Sequence, residues 1–180
     1  YFQLAIEKDT TNYNAYANLG TLYYYDGAFE LAAKAYDNAI RIRNTNYLTW
    51  AGRAEAYRAF GSKQLSREYY EKAIQLAEGV IKINTRDGDT RAHLAGYYLD
   101  VGRKADARSM LAQALALGPK DGSILGRAAM VCEELGERNN ALKHLKQAIE
   151  HGYVPTDIDF SPEMKGLRED PRYKQITKGG

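Results

Sequence analysis

The chain has 180 residues, 44% hydrophobic and 27% charged, with 25 Lys and Arg against 23 Asp and Glu. That apolar share excludes a wholly disordered chain, the formal net charge of +2 gives no strong field for nucleic acid or an anionic membrane surface, and a lone cysteine, Cys132, excludes an internal disulfide. No apolar run approaches the ~20 residues that span a bilayer, so a soluble, cytoplasmic protein without membrane insertion is expected, built as one domain or one short array.

Residues 1–118 contain no proline, because all four (Pro119, Pro155, Pro162, Pro171) lie in the last third. A proline inside a helix costs ~3 kcal/mol, so its absence permits long helices there. Thirteen of the fifteen tyrosines fall within residues 1–98, and their number asks for a structural explanation before a chemical one.

An internal repeat organises the chain. Gly27, Gly61, Gly102 and Gly136 are separated by 34, 41 and 34 residues, and each stands between two apolar helical stretches. Five residues after each glycine comes a small residue (Ala32, Ser66, Ala107, Ala141). Four further on comes a large one (Tyr36, Tyr70, Leu111, Leu145), and three beyond that always an alanine (Ala39, Ala73, Ala114, Ala148). Upstream of the glycines, Tyr16, Leu19, Gly20 and Tyr23 have counterparts in Trp50, Ala54 and Tyr57 and in Leu94, Ala95 and Tyr98.

Taken in chain order, residues 1–12 read as the end of an earlier repeat. Tyr1 falls mid-helix in this register, the expectation for a piece of a longer protein. Repeats follow at 13–46, 47–80, 88–121 and 122–155. In the first, Phe29, Ala32, Ala33, Tyr36, Ala39 and Ile40 recur at spacings of three and four, the signature of one buried helix face. Tyr16, Tyr23, Tyr36, Tyr57, Tyr70 and Tyr98 occupy large-residue positions and are expected in the core with their phenol oxygens at the rim. Seven extra residues separate the second and third repeats. The spacing predicts one helix of about 22 residues from Lys63 to Asn84, roughly 33 Å long, which would extend the second repeat to residue 87; the alternative is a shorter helix followed by a loop.

After His151 the repeat stops. Residues 152–161 read as a loop. Ser161-Pro162-Glu163 and then Asp170-Pro171 read as starts of two short helices, which would lay Phe160, Met164, Leu167, Tyr173 and Ile176 over the last repeat as a cap across residues 156–180.

These offsets resemble the tetratricopeptide repeat, a 34-residue helix–turn–helix, over roughly residues 1–155. The resemblance departs at Leu125 and Cys132, where the family favours aromatics, and at Asn44, where it favours proline. It implies an all-α solenoid of paired helices in a right-handed superhelix. The run from Ala148 to Ile176 is similar to the tail of bacterial arrays that are often fused to kinase, cyclase or transcription-regulator modules.

The resemblance implies recognition of a protein or peptide on a concave wall made by the first helix of each repeat. It places Asn14, Asn18, Thr21, Tyr24 and Tyr25 there, then Glu55 and Arg58, and farther on Asp89, His93, Leu99, Asp100, Ser123, Arg127, Met130 and Glu133. Ala17, Ala51, Gly52, Ala92, Gly96 and Gly126 would leave room for a ligand backbone. The carboxylate clamp of chaperone-binding members finds only Arg127 in place, so that subclass is not expected.

No chemistry is legible. Phosphate-loop, zinc-helix and nucleophile-elbow motifs are absent from the sequence. Cys132 reads as an inert core thiol, His93, His144 and His151 are scattered, and the Glu133–Glu134 pair reads as a solvated helix end. The expectation is a non-enzymatic interaction scaffold with no cofactor, metal or nucleic acid. Two alternatives stay open: the regulatory segment of a larger signalling enzyme, and self-association through exposed repeat ends.

Overall fold

A computed structural model describes residues 2–178. Among these the chain is all-α, without a strand, and runs α1 Phe2–Lys8, α2 Tyr13–Tyr25, α3 Phe29–Ile42, α4 Tyr47–Ala59, α5 Lys63–Ile83, α6 Gly88–Asp100, α7 Lys104–Leu117, α8 Gly122–Glu134, α9 Arg138–Glu150, α10 Thr156–Phe160, α11 Lys165–Glu169 and α12 Pro171–Lys178. Consecutive helices pack as hairpins, α2 on α3, α6 on α7 and α8 on α9. Two compact units form, one up to Glu78 and one from Gly79, with the division inside α5.

The frame glycines do what their spacing implies. Gly27, Gly61, Gly102 and Gly136 all adopt positive φ, between 74° and 98°, a region that costs an L-residue but not glycine, so each chain reversal is fixed at the same point of its hairpin. The small residues behind them are the contact points between helices: Ala32, Ala107 and Ala141, and likewise Ala39, Ala73, Ala114 and Ala148, are fully buried. A methyl side chain at these sites lets two backbones approach while the neighbouring large residues fill the flanking space.

Each first helix of a hairpin also starts in the same way. Asn12, Asn46, Asp87 and Asp121 precede α2, α4, α6 and α8, and each side chain accepts a hydrogen bond from a backbone N–H of the first turn. Asp121 Oδ1 holds two such donors, Ser123 N at 2.9 Å and Ile124 N at 3.1 Å. Replacing Asp121 by alanine strands both and is expected to cost about 1 kcal/mol, whereas asparagine should restore most of the loss. Urea denaturation followed by circular dichroism measures both variants.

α5 is one continuous helix of 21 residues, occupying the stretch between Lys63 and Asn84 with no loop before Asn84. Its apolar residues Tyr70, Ala73, Ile74 and Ala77 are buried, whereas Ile83 at its end is 91% exposed. Seven charged side chains are spread along α5, and among the described residues no helix is long and apolar enough to cross a membrane.

The C-terminal segment departs from its sequence reading in three ways. Residues 156–160, read as loop, form α10, with Asp157 and Asp159 in its first turn, where carboxylates suit the positive end of a helix. Ser161 stands at the start of a 3-10 turn, Pro162–Met164, but makes no side-chain cap to the backbone; its hydroxyl donates to Glu163 Oε2 at 2.8 Å. Phe160 is 55% exposed, and the fully buried Ile158 takes the covering role instead. Ile158, Met164, Leu167 and Tyr173 join Ala128, Cys132, Leu142 and Leu145 in one core cluster, with Ile176 packed against it.

Polar contacts fasten this segment. The Glu133 carboxylate takes two hydrogen bonds from the Arg138 guanidinium, Arg138 lies 3.6 Å from Asp170, and Asp170 accepts from Arg172 Nη2 at 2.7 Å. Hydrogen bonds from Arg172 and the nearby guanidinium charges hold the Asp170 carboxyl far below the usual carboxylate range. Arg168 donates from Nη1 to the carbonyls of Ile158 and Ser161, both at 2.6 Å, which ties α11 back to α10. Glu133 is therefore committed to a structural ion pair, which corrects its reading as a solvated helix end and as part of an open wall.

Candidate functional site

In the first unit the candidate wall is α2 with α4. α2 carries no charged side chain over its 13 residues. Asn14, Asn18 and Thr21 are exposed on it and Tyr25 is half-buried; at spacings of four, three and four these four residues form one stripe. Thr21 Oγ1 is 3.0 Å from the Tyr36 hydroxyl. Asn14 and Asn18 make no hydrogen bond to any described residue, so both amides face solvent with donors and acceptors uncommitted within the protein.

Tyr24 does not belong to that stripe. It is buried, with its ring 5.5 Å from Phe29 and 6.1 Å from Tyr25, and so corrects its reading as a wall residue. Tyr16, Tyr23 and Tyr57, expected in the core, are only half-buried, while Tyr36, Tyr70 and Tyr98 are buried as expected. On α4, Glu55 and Arg58 are half-buried, and the Arg58 guanidinium lies 5.9 Å from the Tyr70 ring centroid.

Two of the three glycines read as space for a ligand, Gly52 and Gly126, are already filled. A Cβ placed on Gly52 would stand 2.5 Å from Tyr36 Cζ, and one on Gly20 would stand 2.8 Å from Tyr36 Cε1. The Tyr36 ring is thus wedged between α2 and α4. Gly126 meets Tyr153 in the same way, with Cζ at 2.5 Å. Ala51 and Ala92 are buried, and Ala17 and Gly96 are half-buried. Gly96 keeps open space around it; Gly52 and Gly126 serve packing.

The second unit presents a charged arrangement on α6 and α8. His93 is buried, with Nδ1 3.2 Å from the Tyr97 hydroxyl and Nε2 3.7 Å from Asp89 Oδ2. Burial, aided by the positive charge of Arg127, keeps its imidazole pKa well below 6.5 and the ring neutral near pH 7. Arg127 Nη2 lies 3.7 Å from Asp157 Oδ2 on α10. Burial raises the pKa of Asp89, with Arg127 opposing the shift. Met130 is half-buried and Ser123 exposed, while Leu99 and Asp100 are half-buried. Asp89, His93 and Arg127 are brought together; His93, as a buried side chain, supports this face from behind and is not available as an open surface.

Cys132 is buried, and burial pushes its thiol pKa up to about 11, which suppresses the thiolate needed for nucleophilic chemistry. Among the described residues no three His, Cys, Asp or Glu side chains gather so as to hold a metal ion.

Two family models, both for the tetratricopeptide repeat, match this chain, one over residues 13–46 and 48–79 and the other over residues 64–128. Among curated proteins none matches. Of the solved structures, TTC0263, a thermophilic TPR protein in Thermus thermophilus, is similar at 21% identity and a TM-score of 0.64, over 97% of this chain and 86% of that one. The MamA RS-1 ArsTM double mutant aligns at 14% identity and a TM-score of 0.50, over 83% and 80%. MamA itself aligns at 19% and 0.48, over 83% and 84%. With its glycine frame, buried alanine columns and hairpins of paired helices, this chain belongs to the tetratricopeptide repeat family.

Proposed function

We propose that the protein is a non-enzymatic interaction scaffold whose first unit holds a peptide segment in extended form along α2. The observation that carries this reading is the uncommitted amide pair, Asn14 and Asn18, on the uncharged helix α2, which packs against the α4 that carries Glu55 and Arg58. A primary amide offers both a donor and an acceptor, as does each peptide unit of an extended chain, so two amides one helical turn apart read backbone without demanding a side chain. Glu55 and Arg58 then select by charge against wrong partners. In the second unit, Arg127 and Met130 supply a cationic and an adaptable apolar contact.

The test is a random peptide library selected against the immobilised chain, followed by affinity measurement for the peptides recovered. The Asn14→Ala/Asn18→Ala variant is expected to bind them about tenfold more weakly, as fits the loss of two hydrogen bonds of about 0.5–1.5 kcal/mol each. Its circular dichroism and melting should match the parent, because both side chains lie outside the core. Undiminished binding by this variant would place the recognition surface elsewhere.

A further inference from the structure

We propose that the cleft between α4 and α5 in the first unit is a second binding site, for a lysine or arginine side chain of a basic partner peptide. Trp50, Arg53 and Tyr57 recur at three and four on one face of α4. Glu55 lies about 140° around the same helix, so this face is distinct from the stripe argued above and the inference stands without it. The cleft has a volume of about 370 Å³ and is lined by Trp50 from α4 and by Glu68, Tyr69, Glu71, Lys72 and Gln75 from α5.

Two of its six lining residues, Trp50 and Tyr69, are aromatic. The rings of Trp50 and Tyr69 lie 6.1 Å apart at 47°, and Tyr57 meets Tyr69 edge-on at 5.1 Å. The indole N–H is already committed to the Asn44 carbonyl at 2.8 Å, which fixes the ring and leaves its π face as the functional surface. Ring faces are negative and attract cations. This cluster already holds one: the Arg53 guanidinium lies 3.9 Å from the Tyr69 centroid and 5.7 Å from that of Trp50. It is anchored there by Asp37 at 2.6 Å, and Arg53 does not line the cleft.

The rim selects the sign of the guest. Glu68 and Glu71 are both exposed, and neither carboxylate makes a hydrogen bond or ion pair with any described residue. The one cation on the rim, Lys72, is turned to Gln75 Oε1 at 2.9 Å. Two unpaired carboxylates over an aromatic floor complement an ammonium or guanidinium group on an apolar stem, whose methylenes cover the rings while its charge meets the acids. An acidic peptide would meet repulsion, and a purely apolar side chain would desolvate both carboxylates without compensation.

Trp50 is the only tryptophan, so its emission reads this site directly in the full chain. Titration with blocked tri-lysine or tri-arginine peptide is expected to give a saturable emission change that weakens with added salt, and blocked tri-glutamate none. Glu68→Gln/Glu71→Gln should reduce affinity for the basic peptides about fivefold with helical content unchanged, and Tyr69→Leu should weaken it with both acids in place. The proposal is overturned by a flat titration, by an equal response to tri-glutamate, or by undiminished binding in the double glutamine variant. It is equally overturned if the emission changes with protein concentration alone while light scattering reports a doubled mass, which would make a second copy of the chain the occupant.

Discussion

Truncating Leu145 to alanine is expected to destabilise the second unit by about 2–5 kcal/mol. Leu145 sits on α9 at the large-residue position of the last repeat and is fully buried, in a cluster that draws on α8, α9 and the C-terminal helices at once. Many of its neighbours are themselves tied to a second element: Tyr173 donates to Asp159 at 2.6 Å, and Leu167 belongs to the short helix held to α10 by Arg168. Such a site cannot collapse around a cavity, which puts the cost in the upper part of that range. The corresponding drop in Tm is on the order of 10 °C or more. Leu117 is also in the second unit but 42% exposed, and its alanine variant should lie within about 1 kcal/mol of the parent. Circular dichroism is the readout, since Trp50 lies in the other unit. Equal effects of the two truncations would mean that the C-terminal helices do not seal the last repeat.

Much of this fold is written in the sequence because a repeat states each contact several times. The alanine columns, the glycine frame and the absence of any breaker but Gly79 through α5 could each be read from spacing. The cap residues Asn12, Asn46, Asp87 and Asp121 recur at the same 34, 41 and 34 intervals as the glycines, a signal as regular as the glycine frame. What lay outside the pattern was less legible. Tyr153 lies beyond the last repeat helix, α9, so nothing in the periodicity reveals that it fills the space at Gly126; a glycine announces room without saying who takes it. The run Tyr23-Tyr24-Tyr25 offers three similar side chains to one inward position, and the choice of Tyr24 depends on Phe29 in the next helix. Gly152 and Pro155 favour a loop over residues 152–161, whereas a proline just before Asp157 and Asp159 also suits the start of a helix.

The wedge of Tyr36 gives the second large effect. Replacing Gly52 by valine is expected to cost about 3 kcal/mol, although the same change on an open helix would gain stability by removing a glycine. The sign follows from the ring's surroundings. A Cβ at Gly52 falls 2.5 Å from Tyr36 Cζ and 2.7 Å from its hydroxyl oxygen, and the ring cannot retreat because Gly20 already stands against it. Moving α4 away instead would carry Glu55 and Arg58 away from the α2 stripe, so peptide affinity should fall along with stability. Tyr36→Ala alone should cost about 3–5 kcal/mol, yet in the Gly52→Val background it removes the obstruction. The double variant should therefore be more stable than the sum of the two losses by at least about 1 kcal/mol. Urea denaturation of the four proteins gives that coupling, and strict additivity would show that the ring does not set the spacing of α2 and α4.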